Sequence, residues 1–316
     1  MEQQGRLMLR DGAMAIGMSI ILYMITASAT LFIIPLLFVA PRFQDVRRSL
    51  IPVLVVLVMV VSYNLIQVYD QLGIPVIRGS LAVGMYIPIA LLVGAGVWIG
   101  LPKQGMLVRL IVASLFAAIA GFLLVLWFRG GSESALDTAK SFKAIFELLV
   151  SQLLGSSLAI GVEVETIYSM TVRIVELSFL PLFVGQFGLS VLISELLIHK
   201  GDWDYQERMT HWHLPENAIW VLLIAWTVVL ATKFVVVPIV ACVAWNIALL
   251  LTLLYIVQGI AISAFFIRKR NPKATATRTF VMLSLLAIMP GLNVIPLIAL
   301  PLLGVSETWI RFRLNT

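Results

Sequence analysis

Charge is what this chain has least of. Only 12% of its 316 residues are Asp, Glu, Lys or Arg, against 61% hydrophobic, whereas soluble domains carry about 25% charged residues. That shortage excludes a sizeable soluble domain. The longest polar interruptions, 129–172 and 199–216, are too short to bury a core of their own. Cysteine is nearly absent as well. Cys242 is alone, inside an apolar run, so no internal disulfide and no thiolate metal cluster can form, and it reads as a small buried hydrophobe. Histidine occurs three times. His211 and His213 stand two apart, facing different sides of a helix, with no third ligand that would complete a zinc set. There is no glycine-rich phosphate loop and no G-x-S-x-G elbow. Glu163 and Glu165, also two apart, would diverge on a helix. We therefore expect no enzyme active site, no cofactor and no metal. The formal charge of +6 does not point to nucleic acid, because no basic stripe interleaves with exposed aromatics.

What the chain has in abundance is long apolar runs, and mean hydropathy reaches +1.03. They cover 13–40, 49–68, 81–100, 106–128, 174–198, 217–232, 234–267 and 279–304. A helix needs about 20 residues to cross a bilayer. Only helices and closed barrels satisfy their backbone in lipid, and continuous rather than alternating runs select helices. The fold class is thus all-α: a polytopic helical membrane bundle of about eight transmembrane segments, read as one integral membrane domain over 1–316. Helical rather than barrel spans place it in a bacterial inner membrane, multi-pass, with lipids as its first partners. Arg6 and Arg10 before an apolar stretch imitate a signal peptide, with Ala27-Ser28-Ala29 as its cleavage site. Because the apolar run resumes at Leu31, we read an uncleaved first helix.

The basic residues cluster at Arg6/Arg10, Arg42/Arg47/Arg48, Lys103/Arg109, Lys200/Arg208, Arg268–Lys273 with Arg278, and Arg311/Arg313. Positive-inside bias wants all of these in the cytoplasm, and eight simple crossings would put the first two on opposite sides. The clash resolves if 13–40 is a hairpin of two short helices broken near Thr26–Thr30. It resolves likewise at the other end if Pro290-Gly291 breaks 279–304, since proline removes a backbone donor and clashes with the preceding turn. A single long tilted first helix is the other reading. The 268–278 loop, with five basic residues and no acid, is the cytoplasmic anchor.

The 129–172 segment then lies outside as an external amphipathic segment. Ala135, Leu136, Ala139, Phe142, Ile145, Phe146, Leu149, Val150, Leu153 and Leu154 repeat at helical spacing. Ser134 and Asp137 resemble a capping box, and Gly155 makes a stop. The helix lies on the membrane or over the bundle mouth like a lid, or else is a solvated connector with one packed face. Trp203, Tyr205 and Trp212 suit the headgroup level of 199–216.

Polar side chains at membrane depth are costly and mark partners or cavities. Asn246, Tyr255 and Gln258 fall in one apolar run, and Asn64 and Gln67 share a helical face at the end of another. Gln186 is the most central polar residue of its helix. These six are the candidate ligand-binding residues, and helix-to-helix bridging is the plainer role for the same amides. Gly259 and Ser263 offer a small-residue face for close contact. Arg173 and Glu176 sit at i, i+3 and read as a local ion pair. Lys233 snorkels to the interface.

Over 200–313 the chain resembles the YybS-like family, bacterial membrane proteins of unknown function. The resemblance rests on His213-Leu214-Pro215, Asn246, the stretch Leu254-Tyr255-Ile256-Val257-Gln258-Gly259-Ile260-Ala261, Phe265-Phe266, Leu303-Gly304 and Arg311-Phe312-Arg313. Gly12-Ala13 with Ala15 fits the start of such chains. One departure is that the family carries an acid just before its aromatic-arginine ending, whereas Glu307 here is farther away. The resemblance implies a distant likeness to the substrate-binding subunits of energy-coupling-factor transporters and to the cell-shape protein MreD. From this two functions are expected. One is a transport-type subunit, lacking its own ATPase, whose small molecule sits among Asn246, Gln258, Asn64 and Gln67 under the 134–154 helix. A protein partner docks in the membrane or at its cytoplasmic face. The alternative is a structural or assembly protein of the MreD kind, in which the amides join helices and no pocket remains.

Overall fold

The structure, a computed structural model, describes residues 2–25, 31–43, 45–71, 74–154, 164–235, 237–271, 274–289, 293–310 and 312–313. Among these residues there are twelve α-helices and no strand. They are α1 (Glu2–Met24), α2 (Ile34–Val39), α3 (Val46–Gln67), α4 (Pro75–Gly100), α5 (Met106–Arg129), α6 (Glu133–Leu154), α7 (Val164–Ile198), α8 (Trp203–Thr210), α9 (Ala218–Ala231), α10 (Pro238–Arg270), α11 (Ala276–Ile288) and α12 (Val294–Ser306). Five of them, α3, α4, α5, α7 and α10, are long and apolar enough to cross a bilayer. The chain is a polytopic helical membrane bundle. It divides into two compact units, Met1–Glu195 and Leu196–Thr316.

In the first unit the chain doubles back immediately. Tyr23 near the end of α1 packs edge-on against Phe32, with ring centroids 5.3 Å apart. Arg42, just beyond α2, pairs with Asp11 at 2.8 Å. α1 and the α2 segment are therefore antiparallel arms, which brings Arg10 and Arg42 to one end. The expected break near Thr26–Thr30 lies outside the described residues. The first arm differs from the expectation in length, because helix begins at Glu2 rather than in the apolar run. Pro35 sits at the start of α2, where its missing N–H costs nothing.

From there the helices alternate. Asp45 caps α3 by accepting from Arg47 N. A side chain on Gly96, near the end of α4, would touch Leu50 and Val53 near the start of α3. Arg109 at the start of α5 lies 3.8 Å over the Trp98 ring and donates to the Trp98 carbonyl at 2.7 Å, satisfying an acceptor at the end of α4. Arg42, Arg47, Arg48 and Arg109 thus gather at the end of the unit where α3 and α5 begin. α7 crosses through the stack of Phe183 and Phe187 at 5.8 Å, with Phe187 edge-on to Trp98 at 6.1 Å.

α6 packs on the opposite end. Ala135 and Thr138 are fully buried, and Thr138 approaches Gly79 so closely that any Cβ there would overlap its hydroxyl. One face of α6 is therefore packed against α4. Leu148 stays 63% exposed and Ile145 53%, so the C-terminal half keeps an uncovered apolar surface. The cap differs from the capping box read at Ser134. Ser132 Oγ accepts from Ala135 N, while the Ser134 carbonyl is taken by Thr138 Oγ1 at 2.7 Å. The expected stop at Gly155 lies outside the described residues. Glu176 enters a tertiary ion pair with Arg129 of α5, and Lys143 of α6 pairs with Glu165 of α7. That carboxylate holds the Lys143 ammonium above its ordinary range.

In the second unit α9 and α10 form an antiparallel pair around Ala225, Val229, Ala244 and Ala248, with Trp226 edge-on to Trp245 at 5.6 Å. The 13 residues of α11 and of α12 span about 20 Å each, short of a hydrocarbon core of about 30 Å. That length suits the broken reading of 279–304, although the break at Pro290-Gly291 lies outside the described residues. α8, the end of α10 and the start of α11 meet at one end. Gln206 Oε1 accepts from Ala276 N at 3.1 Å, and Arg268 lies 5.2 Å over the Trp203 ring. Phe312 packs against Phe266 there at 6.4 Å.

Candidate functional site

Membrane helices approach one another where side chains are small, and α10 meets α12 through two glycines. A Cβ on Gly259 would overlap the Leu300 carbonyl oxygen, and one on Gly304 the Tyr255 carbonyl oxygen. The small face expected at Gly259 is therefore a backbone-to-backbone contact. It delivers the buried Gln258 amide into a closed polar network. Gln258 Oε1 accepts from Leu214 N at 2.9 Å, and Nε2 donates to the Gly304 carbonyl at 3.0 Å and to Glu307 Oε2 at 3.1 Å. Glu307 pairs with Arg313, both nearly buried at 10% and 7% side-chain exposure. Arg313 continues to the Thr210 and Trp212 carbonyls, acceptors at the C-terminus of α8 that suit a cation. Tyr255, buried beside this contact, has its hydroxyl hydrogen-bonded to Thr308.

This network joins α8, the 212–214 segment, α10 and the chain after α12. The Gln258 oxygen and amide nitrogen both have partners in it, so the network ties these segments together. Sequence reading missed Glu307 and Arg313 as partners. Their spacing of six carries no helical signal, and the turn at 307–309 brings them together.

The other candidate residues disperse. Asn246 is buried and turns its amide back to the Cys242 carbonyl, one turn earlier, at 2.9 Å. In the first unit Asn64 donates to the Tyr23 hydroxyl at 2.7 Å and to the Val60 carbonyl, bridging α3 to α1. Gln67 is exposed at the end of α3, and Gln186 is half-buried in α7. Asn246 and Gln258 stand twelve residues apart on α10, about 18 Å along its axis. Among the described residues, no group of His, Cys, Asp and Glu could hold a metal ion.

An open cleft lies elsewhere in the first unit, between α4, α5 and the N-terminal half of α6. Its volume is about 780 Å³. Arg78, Glu133, Ser134 and Asp137 supply its polar lining. Gly79, Ala82, Leu124 and Trp127 supply the rest. Gly79 lets α4 and α6 touch at the edge of this cleft, and Trp127 lines it from α5. Asp137 is paired with Lys140 at 3.1 Å. Arg78 and Glu133 make no ion pair among the described residues. The signal that could have found this place was Arg78, a lone basic residue away from every basic cluster, one turn inside a helix and next to a glycine. A second cavity of about 110 Å³, lined by Tyr23, Tyr63 and aliphatic side chains, has no charged wall.

No curated protein and no solved structure matches this chain. A family model described as a predicted membrane protein, DUF2232, matches residues 13–305, and the chain belongs to that family.

Proposed function

We propose that this is a small-molecule-binding membrane protein of the transport type, not an enzyme, and that its guest sits in the α4–α5–α6 cleft. One observation carries the reading: the cleft combines a volume of about 780 Å³ with charges of both signs on apolar walls. Ligand sites typically enclose about 300–1,000 Å³, with a few placed polar groups on apolar walls. The first turns of α6 form one wall of the cleft, with α4 and α5 as the others.

The reading places the protein in a bacterial inner membrane. In the first unit Arg10, Arg42, Arg47, Arg48, Lys103 and Arg109 gather at the end away from the cleft, against Arg78, Arg129, Lys140 and Lys143 at the cleft end, so positive-inside bias turns the cleft outward. In the second, the same bias puts 268–278 in the cytoplasm. The chain lacks a nucleotide-binding signature, so energy for transport comes from a separate subunit docked in the membrane or at the cytoplasmic face. The YybS-like resemblance, with its link to energy-coupling-factor subunits, adds to that expectation. The assembly role of the MreD kind is favoured by the unit holding Gln258, where that amide joins α10 to the chain after α12 and to Leu214.

Native mass spectrometry of the protein purified in mild detergent tests the choice. A small-molecule adduct is expected on the wild type and absent from Ala82→Trp, which fills the cleft. Adduct-free wild type, or an adduct indifferent to Ala82→Trp, overturns the binding reading. A cysteine placed at Lys269 is expected to react with an impermeant maleimide only from the cytoplasmic side. The buried Cys242 gives no background.

A further inference from the structure

We infer that the guest of the α4–α5–α6 cleft is a zwitterion, with an ammonium group at one end and a phosphate or carboxylate at the other. This rests on the cleft being a binding site, as proposed above. The argument starts from the charges. Three ionic side chains line the cleft, Arg78, Glu133 and Asp137. Asp137 already has Lys140 at 3.1 Å, so one cation and one anion remain without an ion pair among the described residues. A net-negative guest would satisfy Arg78 and meet repulsion from Glu133. A net-positive guest would do the reverse. A guest carrying both charges satisfies both side chains.

The residue types agree with the assignment. A guanidinium forks onto two oxygens of a phosphate or carboxylate, where a lysine would offer only a point charge. Glu133 stands at the start of α6, one turn before Asp137, and accepts from an ammonium. Trp127 also lines the cleft, and an indole there can add cation–π attraction to an ammonium. Ala82 and Leu124 give a short hydrocarbon portion somewhere to lie, and Gly79 lets α6 close against α4 without a side chain between them.

An ammonium a few bonds from a phosphate has two sources at a membrane surface, the headgroup of phosphatidylethanolamine and the free zwitterion phosphoethanolamine. The test is thermal unfolding of the full-length protein in detergent, titrated with separate probes: phosphoethanolamine, inorganic phosphate, ethanolamine, and dioleoyl-phosphatidylethanolamine or dioleoyl-phosphatidylglycerol in mixed micelles. We expect a saturable rise in Tm with a probe that carries both charges and none with phosphate, ethanolamine or the glycerol lipid. Arg78→Gln and Glu133→Gln should each weaken that response at least tenfold. Both side chains are exposed, so the unliganded Tm of either variant should match wild type. A response to phosphoethanolamine itself identifies a soluble guest, and a response to the ethanolamine lipid alone identifies a headgroup. Equal stabilisation by phosphate or the glycerol lipid, or indifference to Glu133→Gln, overturns the zwitterion. So does silence from both zwitterionic probes. An adduct in the mass spectrum that depends on Ala82 would then leave the binding reading standing and sink only the guest's class.

Discussion

The crossing of α10 and α12 sets a demanding test of the packing argument. A Cβ at Gly259 would stand 2.7 Å from the Leu300 carbonyl carbon and 3.0 Å from its Cα, and one at Gly304 would stand 3.1 Å from the Tyr255 carbonyl carbon. Comfortable carbon contacts begin at about 3.5 Å, so either alanine forces the two backbones apart by on the order of 1 Å. The obstacle is backbone, which cannot swing aside like a flexible side chain. Overpacking of this kind costs about 1–3 kcal/mol. Separation also stretches the 3.0 Å bond from Gln258 to the Gly304 carbonyl, a further 0.5–1.5 kcal/mol or so. Against this, alanine in a helix gains about 1 kcal/mol over glycine. The expected net loss is roughly 1–3 kcal/mol for Gly259→Ala and for Gly304→Ala. Gly84→Ala and Gly188→Ala are the controls, since an added Cβ at either meets nothing within 4 Å, and each should be neutral or slightly stabilising. Because the two glycines share one contact, the double variant should lose less than the sum of the singles. Equilibrium unfolding in mixed micelles reads all five variants. If Gly304→Ala proves as stable as Gly84→Ala, the close approach and the network built on it are refuted.

Three further outcomes follow from the same geometry. Glu307→Gln leaves the nearly buried Arg313 without its counter-charge, and breaking such a pair costs about 3–5 kcal/mol. The remaining amide oxygen keeps the loss at the lower end, read by the same unfolding assay. Tyr23→Phe removes the acceptor that joins α1 to Asn64 and should cost on the order of 0.6 kcal/mol, typical of interhelical hydrogen bonds in membranes. The Asp202 carboxylate is held below its usual range, chiefly by the Tyr205 backbone N–H and then by the His199 side chain. A depressed folded value means that its contribution is complete above the ordinary aspartate range and is lost as pH falls through the lowered value. The protection factor of the first α8 amides, exchange corrected for its intrinsic pH dependence, should therefore be flat from neutral pH down to the carboxylate range and fall below it. Asp202→Ala should speed exchange at neutral pH, whereas Asp202→Asn, still a capping residue, should not.

The spans were readable because lipid imposes a one-dimensional rule. A stretch such as 106–128 must be helical wherever it sits, and α5 covers Met106–Arg129. The doubled-back first segment was readable for a related reason, since Arg10 and Arg42 had to share a side, and their common partner region at Asp11 now joins them. The roles of the polar residues were not readable. Gln258 carries the same local signature whether it faces a guest or a neighbouring helix. Only the turn that returns Glu307, and the glycine contact that admits Gly304, bring it the partners it has here. The cleft was hidden for the opposite reason. Arg78, Trp127 and Glu133 come from three helices, and each alone looks like an interfacial residue.

What the sequence by itself determined is the solvent and the element type: a charge-poor chain of long apolar runs must be a bundle of helices in lipid, because an exposed backbone polar group in hydrocarbon costs several kcal/mol. What only the tertiary structure decided is which polar groups satisfy one another and which are left facing open space. That outcome depends on distances between helices, and these are set by glycines, turns and caps whose effect appears only once the helices are packed.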